Sequence, residues 1–160
     1  LEIEDIINAA IKLREYSWVD SDRIGIMGWS YGGFMASLAI TKGADVFKTA
    51  IAVAPVTNWR YYDNIYTERF MRTPLENTSG YDENSPINHV DKMKGNYLLI
   101  HGSADDNVHY QNTMEMINAM VEADKQFDLF IYPNKNHGIY GGNTRNHLFN
   151  MMLNYIKENL

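Results

Sequence analysis

The order of elements along this 160-residue chain predicts one α/β domain with a mostly parallel sheet and helices on both of its faces. Short apolar runs that suit buried strands alternate with longer stretches of helical periodicity. Parallel strands need a crossover connection that packs back on the sheet, so this alternation is typical of parallel sheets. No internal repeat and no low-complexity linker divides the chain.

The first third of the chain contains two helical patterns and two strand patterns. Apolar residues at helical spacing predict an amphipathic helix over residues 2–16. The run 24–27 is followed by glycine and suits a buried parallel strand, and residues 31–42 form a helical pattern rich in Ala, Leu and Ile. Residues 50–54 predict a second buried strand, which Pro55 ends.

The remainder continues this alternation after a long segment without a strand pattern. We predict a third strand over residues 97–100, a helix over about 110–123 and a fourth strand over 127–132. The last helix is predicted over about 144–159. Residues 55–95 are rich in aromatic side chains but contain no clear strand, and a long irregular segment inside a compact domain is usually functional.

The composition is that of a globular domain and excludes several classes of protein. Hydrophobic residues make up 45% and charged residues 21%, close to the average for globular proteins. The net charge of −6, with scattered Lys and Arg, argues against a nucleic-acid partner. No apolar run approaches the ~18–20 residues of a membrane-spanning helix. The chain has no cysteine, which excludes a disulfide framework.

A G-x-S-x-G motif lies between the first strand pattern and the helix after it. Gly28, Ser30 and Gly32 match the motif, and Gly33 extends it. This context is typical of the nucleophile elbow of the α/β-hydrolase fold, where a sharp turn strains the serine backbone and lifts its hydroxyl clear of the sheet. We expect a Cβ at the flanking glycine positions to clash with the neighbouring strand and helix. Ser30 is therefore the predicted nucleophile, and the N–H of Tyr31 a predicted oxyanion donor.

Two later loops contain candidates for the acid and the base of a catalytic triad. Hydrolases of this type order their triad as Ser, then Asp or Glu, then His. The third predicted strand runs into Asp105 and Asp106, and the fourth runs into a loop with His137. Parallel strands bring both loops to the same sheet edge as Ser30. Of the five histidines, His137 alone has the right order and loop, but spacing does not choose between the two aspartates.

The acid loop also admits a rival interpretation as a metal site. Its possible ligands are His101, Asp105, Asp106 and His109. These residues follow no zinc-ligand pattern and lie where a triad acid belongs. We therefore expect neither a metal nor a cofactor.

Residues 28–33, 101–109 and 137–138, which hold these motifs, together resemble the prolyl oligopeptidase family of serine peptidases. Residues 59–71 are similar to the dipeptidyl-peptidase members of that family, bacterial ones in particular. The resemblance extends in order along nearly the whole chain. It implies an aminopeptidase whose substrates are peptides with proline, or less well alanine, at the penultimate position, from which it releases the N-terminal dipeptide.

The resemblance also implies roles for individual residues. It assigns Ser30 as nucleophile, Asp105 rather than Asp106 as the acid, and His137 as the base. Tyr31 N–H would be one oxyanion donor.

A pocket for the proline ring and a contact for the substrate backbone are implied in the same way. Tyr62 and Tyr66 are four residues apart and would share one face of a helical turn, and two aromatic walls suit a flat pyrrolidine ring. Asn107 would donate to a substrate carbonyl. The residues implied to line the pocket are Val56, Trp59, Tyr62, Tyr66 and Val108.

The start of the chain suggests a longer parent protein. Leu1 opens directly into a helical pattern without an initiator methionine or a signal peptide. We expect residues 1–160 to be the C-terminal portion of one α/β-hydrolase peptidase domain that lacks the early strands. The resemblance implies an upstream β-propeller with paired glutamates for the substrate amino group, and an upstream tyrosine as second oxyanion donor. It also implies a homodimeric parent in the periplasm or outside the cell.

The isolated chain is expected to differ from that parent. Without the upstream parts we expect it to be inactive, and to self-associate or be poorly stable through an exposed sheet edge. Two alternatives to a dipeptidyl peptidase stay open at this point. One is a broader peptidase or esterase on the same fold, and the other is an interaction module without activity.

Overall fold

The computed structural model describes all 160 residues as a four-stranded sheet with helices on both faces. The predicted α/β class is therefore confirmed. Two 3₁₀ helices, Trp59–Tyr61 and Pro86–Lys92, lie between the second and third strands. In chain order the other elements are α1 (Glu2–Leu13), β1 (Gly25–Trp29), α2 (Tyr31–Lys42), β2 (Thr49–Val53), α3 (Asn64–Met71), α4 (Thr78–Glu83), β3 (Asn96–Gly102), α5 (Gln111–Glu122), β4 (Asp128–Tyr132) and α6 (Thr144–Asn159).

The four strands are parallel and follow the order β1-β2-β3-β4, so that consecutive strands are neighbours in the sheet. In the register of the first three strands, Met27 lies beside Ile51 and Ile51 beside Leu98. All four carboxyl ends reach the same edge of the sheet. The loops that follow β1, β3 and β4 contain the three predicted triad residues, so the topology brings these residues to one edge.

The core is built in layers on the two sides of the sheet. On one side α2 and α5 pack against the sheet and against the 3₁₀ helix Pro86–Lys92, and α1 packs on the outer surface of α2. On the other side α6 covers the sheet alone. The side chains that α6 buries there are Leu148, Met152 and Tyr155, against Ile51, Val53, Leu98 and Ile100 of β2 and β3.

The segment between β2 and β3 is largely helical, so the expectation that residues 55–95 form a long irregular segment is wrong. It contains α3, α4 and both 3₁₀ helices. Asp63 caps α3, since its carboxylate accepts from the Tyr66 N–H at 2.9 Å. These helices have only eight and six residues, too few turns for an apolar periodicity to stand out in the sequence.

The longer helices match their predicted positions and differ only at their ends. α1 stops at Leu13 and continues as hydrogen-bonded turns to Tyr16, the predicted end of the helix. α6, with 16 residues, is the longest helix. None of the helices combines the length and the apolar character needed to cross a membrane.

Candidate active site

Ser30 lies in the turn between β1 and α2, in a strained backbone conformation with φ 59° and ψ −118°. Two hydrogen bonds hold this turn. The Ser30 N–H donates to the Val53 carbonyl at 2.8 Å, and the Phe34 N–H donates to the Ser30 carbonyl at 2.9 Å. Tyr31 is the first residue of α2, so its N–H has no acceptor within the helix and is available to an external oxygen. The strain predicted from the motif is confirmed.

The glycines around Ser30 are constrained to different degrees. A Cβ on Gly28 would lie 1.9 Å from the Gly32 carbonyl oxygen, and one on Gly33 would lie 2.9 Å from the Val53 carbonyl oxygen. A Cβ on Gly32 would meet no atom within 4 Å. The expected clash therefore occurs at Gly28 but not at Gly32, because the Cβ direction at Gly32 points into open space. The tight contacts are those that let α2 start directly against the sheet.

Asp105 is buried and accepts hydrogen bonds on both of its carboxylate oxygens. Its Oδ1 accepts from the backbone N–H groups of Asn107 and Val108, each at 3.0 Å. Its Oδ2 lies 2.7 Å from His137 Nδ1 and 3.1 Å from His101 Nε2. Burial raises the pKa of Asp105, but hydrogen bonds from His101, His137 and the Asn107 N–H together hold it well below its usual range. The carboxylate is therefore ionised at neutral pH.

Asp106, the other candidate acid, is exposed to solvent. The structure brings Asp105 and not Asp106 to the His137 ring. Nor do the residues of the rival metal interpretation form a ligand set, since no group of three or more His, Asp or Glu side chains is placed to hold a metal ion.

The loop with His137 is fixed next to the serine turn through Trp29. The Trp29 indole N–H donates to the His137 carbonyl at 3.0 Å. The Arg145 guanidinium donates to the Gly138 carbonyl at 2.8 Å and lies over the Trp29 ring at 5.4 Å. The only side-chain hydrogen bond of the His137 ring is to Asp105, and none joins it to Ser30 Oγ. Such serine–histidine contacts are often loose without substrate and tighten in the Michaelis complex.

The acid loop and the base loop pack directly against each other. A Cβ on Gly102 would lie 2.3 Å from the Lys135 carbonyl oxygen. The Ala104 N–H donates to that same oxygen at 3.0 Å, and the Ser103 N–H donates to the Tyr132 carbonyl at 3.0 Å. Gly102 is thus the residue that allows the two loops to approach, which brings Asp105 to the His137 ring.

Aromatic side chains form a cluster beside this edge of the sheet. The Trp59 ring centroid lies 5.8 Å from that of Tyr62 and 6.0 Å from that of Tyr66. Tyr62 and Tyr66 meet edge to face at 5.4 Å. Their contact was expected from a shared helical face, and that reason is wrong, because Tyr62 has an extended backbone and precedes α3. The side chains meet because the chain turns at Asp63.

Tyr62 also fixes the orientation of Asn107. Its hydroxyl donates to Asn107 Oδ1 at 2.6 Å. Burial, followed by Asp63, Tyr66 and Asp105, raises the pKa of Tyr62, so the hydroxyl is protonated at neutral pH and acts as donor. The amide NH₂ of Asn107 is then left to donate elsewhere.

Val56 and Val108, the other implied pocket residues, are only 2% and 0% exposed. Both belong to the core cluster that includes Trp59, and neither presents surface to a ligand in this structure. Their role in a pocket stays a prediction. An apolar cavity of about 450 Å³ lies between α1, α2 and α3, and it shares Tyr31, Trp59 and Tyr66 with this region.

Three contributors to this site were missed in the sequence. In the sequence His101 is only a possible ligand of the rival metal site, and Trp29 and Arg145 have no predicted role. A polar residue at the end of a buried strand, as His101 is, was the one available signal. The other two contacts join residues 108 positions apart or more in the chain, as between Trp29 and His137, and have no local pattern.

Comparison with known proteins gives a family and a set of close structural neighbours. Residues 1–160 match the profile described as "Prolyl oligopeptidase family". The chain is 50% identical over 154 residues to a protein named venom dipeptidyl peptidase 4 of Apis mellifera, covering 93% of this chain and 20% of that protein. It is 43% identical over 160 residues to a mouse protein named prolyl endopeptidase FAP, covering 98% and 21%.

Two bacterial crystal structures share the fold in detail. Dipeptidyl peptidase 4 of Porphyromonas gingivalis superposes with a TM-score of 0.97 at 51% identity, over 99% of this chain and 23% of that one. A putative dipeptidyl aminopeptidase IV of Bacteroides ovatus gives a TM-score of 0.96 at 38% identity, over 99% and 22%. The chain thus spans about a fifth of the length of the curated relatives it matches.

Proposed function

This chain belongs to the prolyl oligopeptidase family, and we propose that it carries the catalytic triad of a serine dipeptidyl aminopeptidase. The observation that supports this most directly is the pairing of buried Asp105 with the His137 ring, in a loop tied to the turn that presents Ser30. The names of several relatives include dipeptidyl peptidase, which favours release of dipeptides over other peptidase activities.

The proposed reaction is acyl transfer through Ser30. The Asp105 carboxylate holds a hydrogen on His137 Nδ1, which leaves Nε2 unprotonated as the base. His137 Nε2 removes the Ser30 proton as Oγ attacks the carbonyl after the penultimate residue, and the Tyr31 N–H donates to the oxyanion. The imidazolium then protonates the leaving amine as the C–N bond breaks. Water, deprotonated by the same histidine, hydrolyses the acyl-enzyme and frees Ser30.

Specificity for proline is proposed to come from the aromatic cluster. Trp59, Tyr62 and Tyr66 offer flat surfaces that suit a pyrrolidine ring, and Val56 and Val108 would form the floor below them once the pocket opens. Such a pocket excludes larger side chains by its shape, which favours proline substrates over bulkier ones by a few kcal/mol in transition-state binding. Asn107, with its amide oxygen held by Tyr62, would donate to a substrate carbonyl.

The rest of the catalytic machinery is proposed to lie in a longer parent protein. Residues 1–160 would be the C-terminal portion of one peptidase domain, with the early strands, a second oxyanion donor and a propeller upstream. Removing one oxyanion donor costs about 10²–10³ in rate. The isolated chain would therefore be inactive even if folded. We further propose a homodimeric parent that is exported to the periplasm or secreted.

Chromogenic dipeptides test this proposal in the full-length protein. We expect rapid turnover of Gly-Pro-p-nitroanilide with a free amino group, slower turnover of the Gly-Ala analogue, and negligible turnover of Gly-Phe. Ser30→Ala should abolish turnover and fluorophosphonate labelling. An N-blocked Gly-Pro substrate separates an aminopeptidase from an endopeptidase, an activity that the name of one relative contains. Wild-type turnover by S30A, or equal turnover of blocked and free substrates, would refute the corresponding part of the proposal.

A further inference from the structure

His101 is a fully buried histidine at the end of β3 that contacts the proposed triad without belonging to it. Its Nε2 lies 3.1 Å from Asp105 Oδ2 and 2.9 Å from the Val108 carbonyl oxygen. On the other side of the ring, Nδ1 lies 2.7 Å from Thr113 Oγ1, on the first turn of α5. A buried ring with partners on both nitrogens is held in one position.

These partners also determine which nitrogen carries a hydrogen. The carboxylate of Asp105 and the carbonyl of Val108 can only accept, so Nε2 of His101 must be the donor to both. The Thr113 hydroxyl can donate to Nδ1, and this makes Nε2–H a stronger donor, since hydrogen bonds in series polarise one another. Thr113, His101 and Asp105 therefore form a directed chain of hydrogen bonds.

The chain ends on the same carboxylate oxygen that the His137 ring contacts. Asp105 Oδ2 accepts from both rings, while Oδ1 is occupied by two backbone N–H groups. The hydrogen bond from His101 to Asp105 Oδ2 reduces the negative charge that this oxygen presents to His137. The His101 ring also restricts rotation of the carboxylate about its Cβ–Cγ bond.

We propose that His101 is a positioning residue that fixes the Asp105 carboxylate and moderates its basicity toward His137, with Thr113 as its orienting partner. The proposal rests on the proposed function, because it assumes that His137 is the base. It predicts that loss of the His101 donor makes Asp105 a stronger acceptor and favours the imidazolium of His137. Less of the enzyme then has a free base at a given acidic pH.

Other titratable groups lie near the pair. One is Arg145, whose guanidinium donates to the Gly138 carbonyl next to His137. The Tyr110 ring lies edge-on to His101 at a centroid distance of 5.6 Å. Tyr62 reaches Asp105 electrostatically from the segment before α3, and its raised pKa keeps it protonated through the acidic range. The acid limb of the pH profile is the range in which activity falls as the pH is lowered. A shift of this limb along the pH scale therefore reflects the pairing of Asp105 with the two histidines.

The test uses pH profiles of kcat/KM on free Gly-Pro-p-nitroanilide by the full-length protein, with rates normalised to fluorophosphonate-labelled sites. His101→Phe keeps the ring volume without the donor, and His101→Gln restores an amide donor at nearly the same place. We expect H101F to lose roughly 10- to 100-fold in kcat/KM, with its acid limb moved to higher pH by roughly 0.5 to 1 unit. H101Q should recover most of the activity and the wild-type limb.

A second pair of variants avoids dependence on whether H101F folds. Thr113→Val replaces the hydroxyl with a methyl group, and we expect the acid limb of this variant to move in the same direction by a smaller amount. Thr41→Val is the matched control, because Thr41 is equally buried on α2 and its hydroxyl contacts only helix carbonyls. Its profile should equal that of the wild type.

An acid limb that stays in place in H101F, or in T113V if H101F does not fold, would overturn the proposal and leave His101 a structural role only. A limb in H101Q displaced as far as in H101F would overturn the role of the donor. Failure of the proposed function looks different, since S30A would then retain turnover or the wild type would show no acid limb at all.

Discussion

At the level of single residues, the site depends on one buried carboxylate that accepts four hydrogen bonds. Asp105 takes two backbone donors and two ring donors, and its pKa is held well below the usual range despite the opposing effect of burial. A neutral amide could accept only on its oxygen, so the position requires an anion. This requirement distinguishes Asp105 from its neighbour Asp106.

We expect Asp105→Asn to inactivate the full-length protein without unfolding it. The amide oxygen can keep the two backbone N–H bonds, which turns the amide NH₂ toward the ring N–H groups of His101 and His137. His137 then takes the other tautomer, with its hydrogen on Nε2, and cannot accept the Ser30 proton. A loss of about 10³–10⁴ in kcat is expected, measured with Gly-Pro-p-nitroanilide and checked for folding by circular dichroism.

Asp106→Asn is the matched control for this substitution, with the same chemical change one residue away. Asp106 is exposed, so the activity of D106N should stay within about twofold of the wild-type value, as for most surface substitutions. If D106N lost activity as D105N is expected to, the assignment of the acid would be wrong. Spacing left this pair undecided, since adjacent residues occupy the same loop. Only the direction in which each side chain points distinguishes them.

At the level of elements, the strands and long helices were predictable and the short helices were not. β2 is buried along its whole length, and its residues 50–53 form an unbroken apolar run. In contrast, α4 has one buried residue, Tyr81. The positions of the loops that hold the proposed triad were predictable, because parallel strands end at one edge. The contacts between those loops, such as the approach that Gly102 allows, depend on tertiary packing and have no local signal.

The elbow between β1 and α2 gives a prediction about two glycines of one motif. Gly28→Ala would place Cβ 1.9 Å from the Gly32 carbonyl oxygen, so the backbone must move. We expect a loss of about 2–4 kcal/mol in stability together with loss of Ser30 labelling. Gly32→Ala meets no atom within 4 Å and removes a glycine from a helix, which is worth up to about 1 kcal/mol.

Thermal melting and fluorophosphonate labelling of both variants in the full-length protein check this difference. G32A should melt at or above the wild-type temperature, and G28A clearly below it. Equal melting temperatures for the two variants would show that the backbone contact at Gly28 does not determine the turn.

At the level of the whole molecule, the two edge strands of the sheet are more open to solvent than its middle strands. β2 is fully buried, but β1 pairs only with β2 and is partly open. Met27 lies beside Ile51, on the face that α6 covers, yet it is 55% exposed. An edge strand with an open apolar face is a surface on which another strand can pair.

The isolated 160-residue chain should therefore self-associate. Pairing along β1 would satisfy its outer N–H and C=O groups and bury Met27, which favours association over a monomer. Light scattering should show an average molecular mass that increases with protein concentration, and the dye ANS should bind more strongly to the isolated chain than to the full-length protein.

Met27→Lys places a charge at this edge and should reduce both signals, since charged edge residues oppose strand pairing. A Met27→Leu control, which keeps the apolar face, should associate like the wild type. A stable monomer of one size across concentrations, with a cooperative melt, would show that α6 and the loops protect this edge well enough without any further strand.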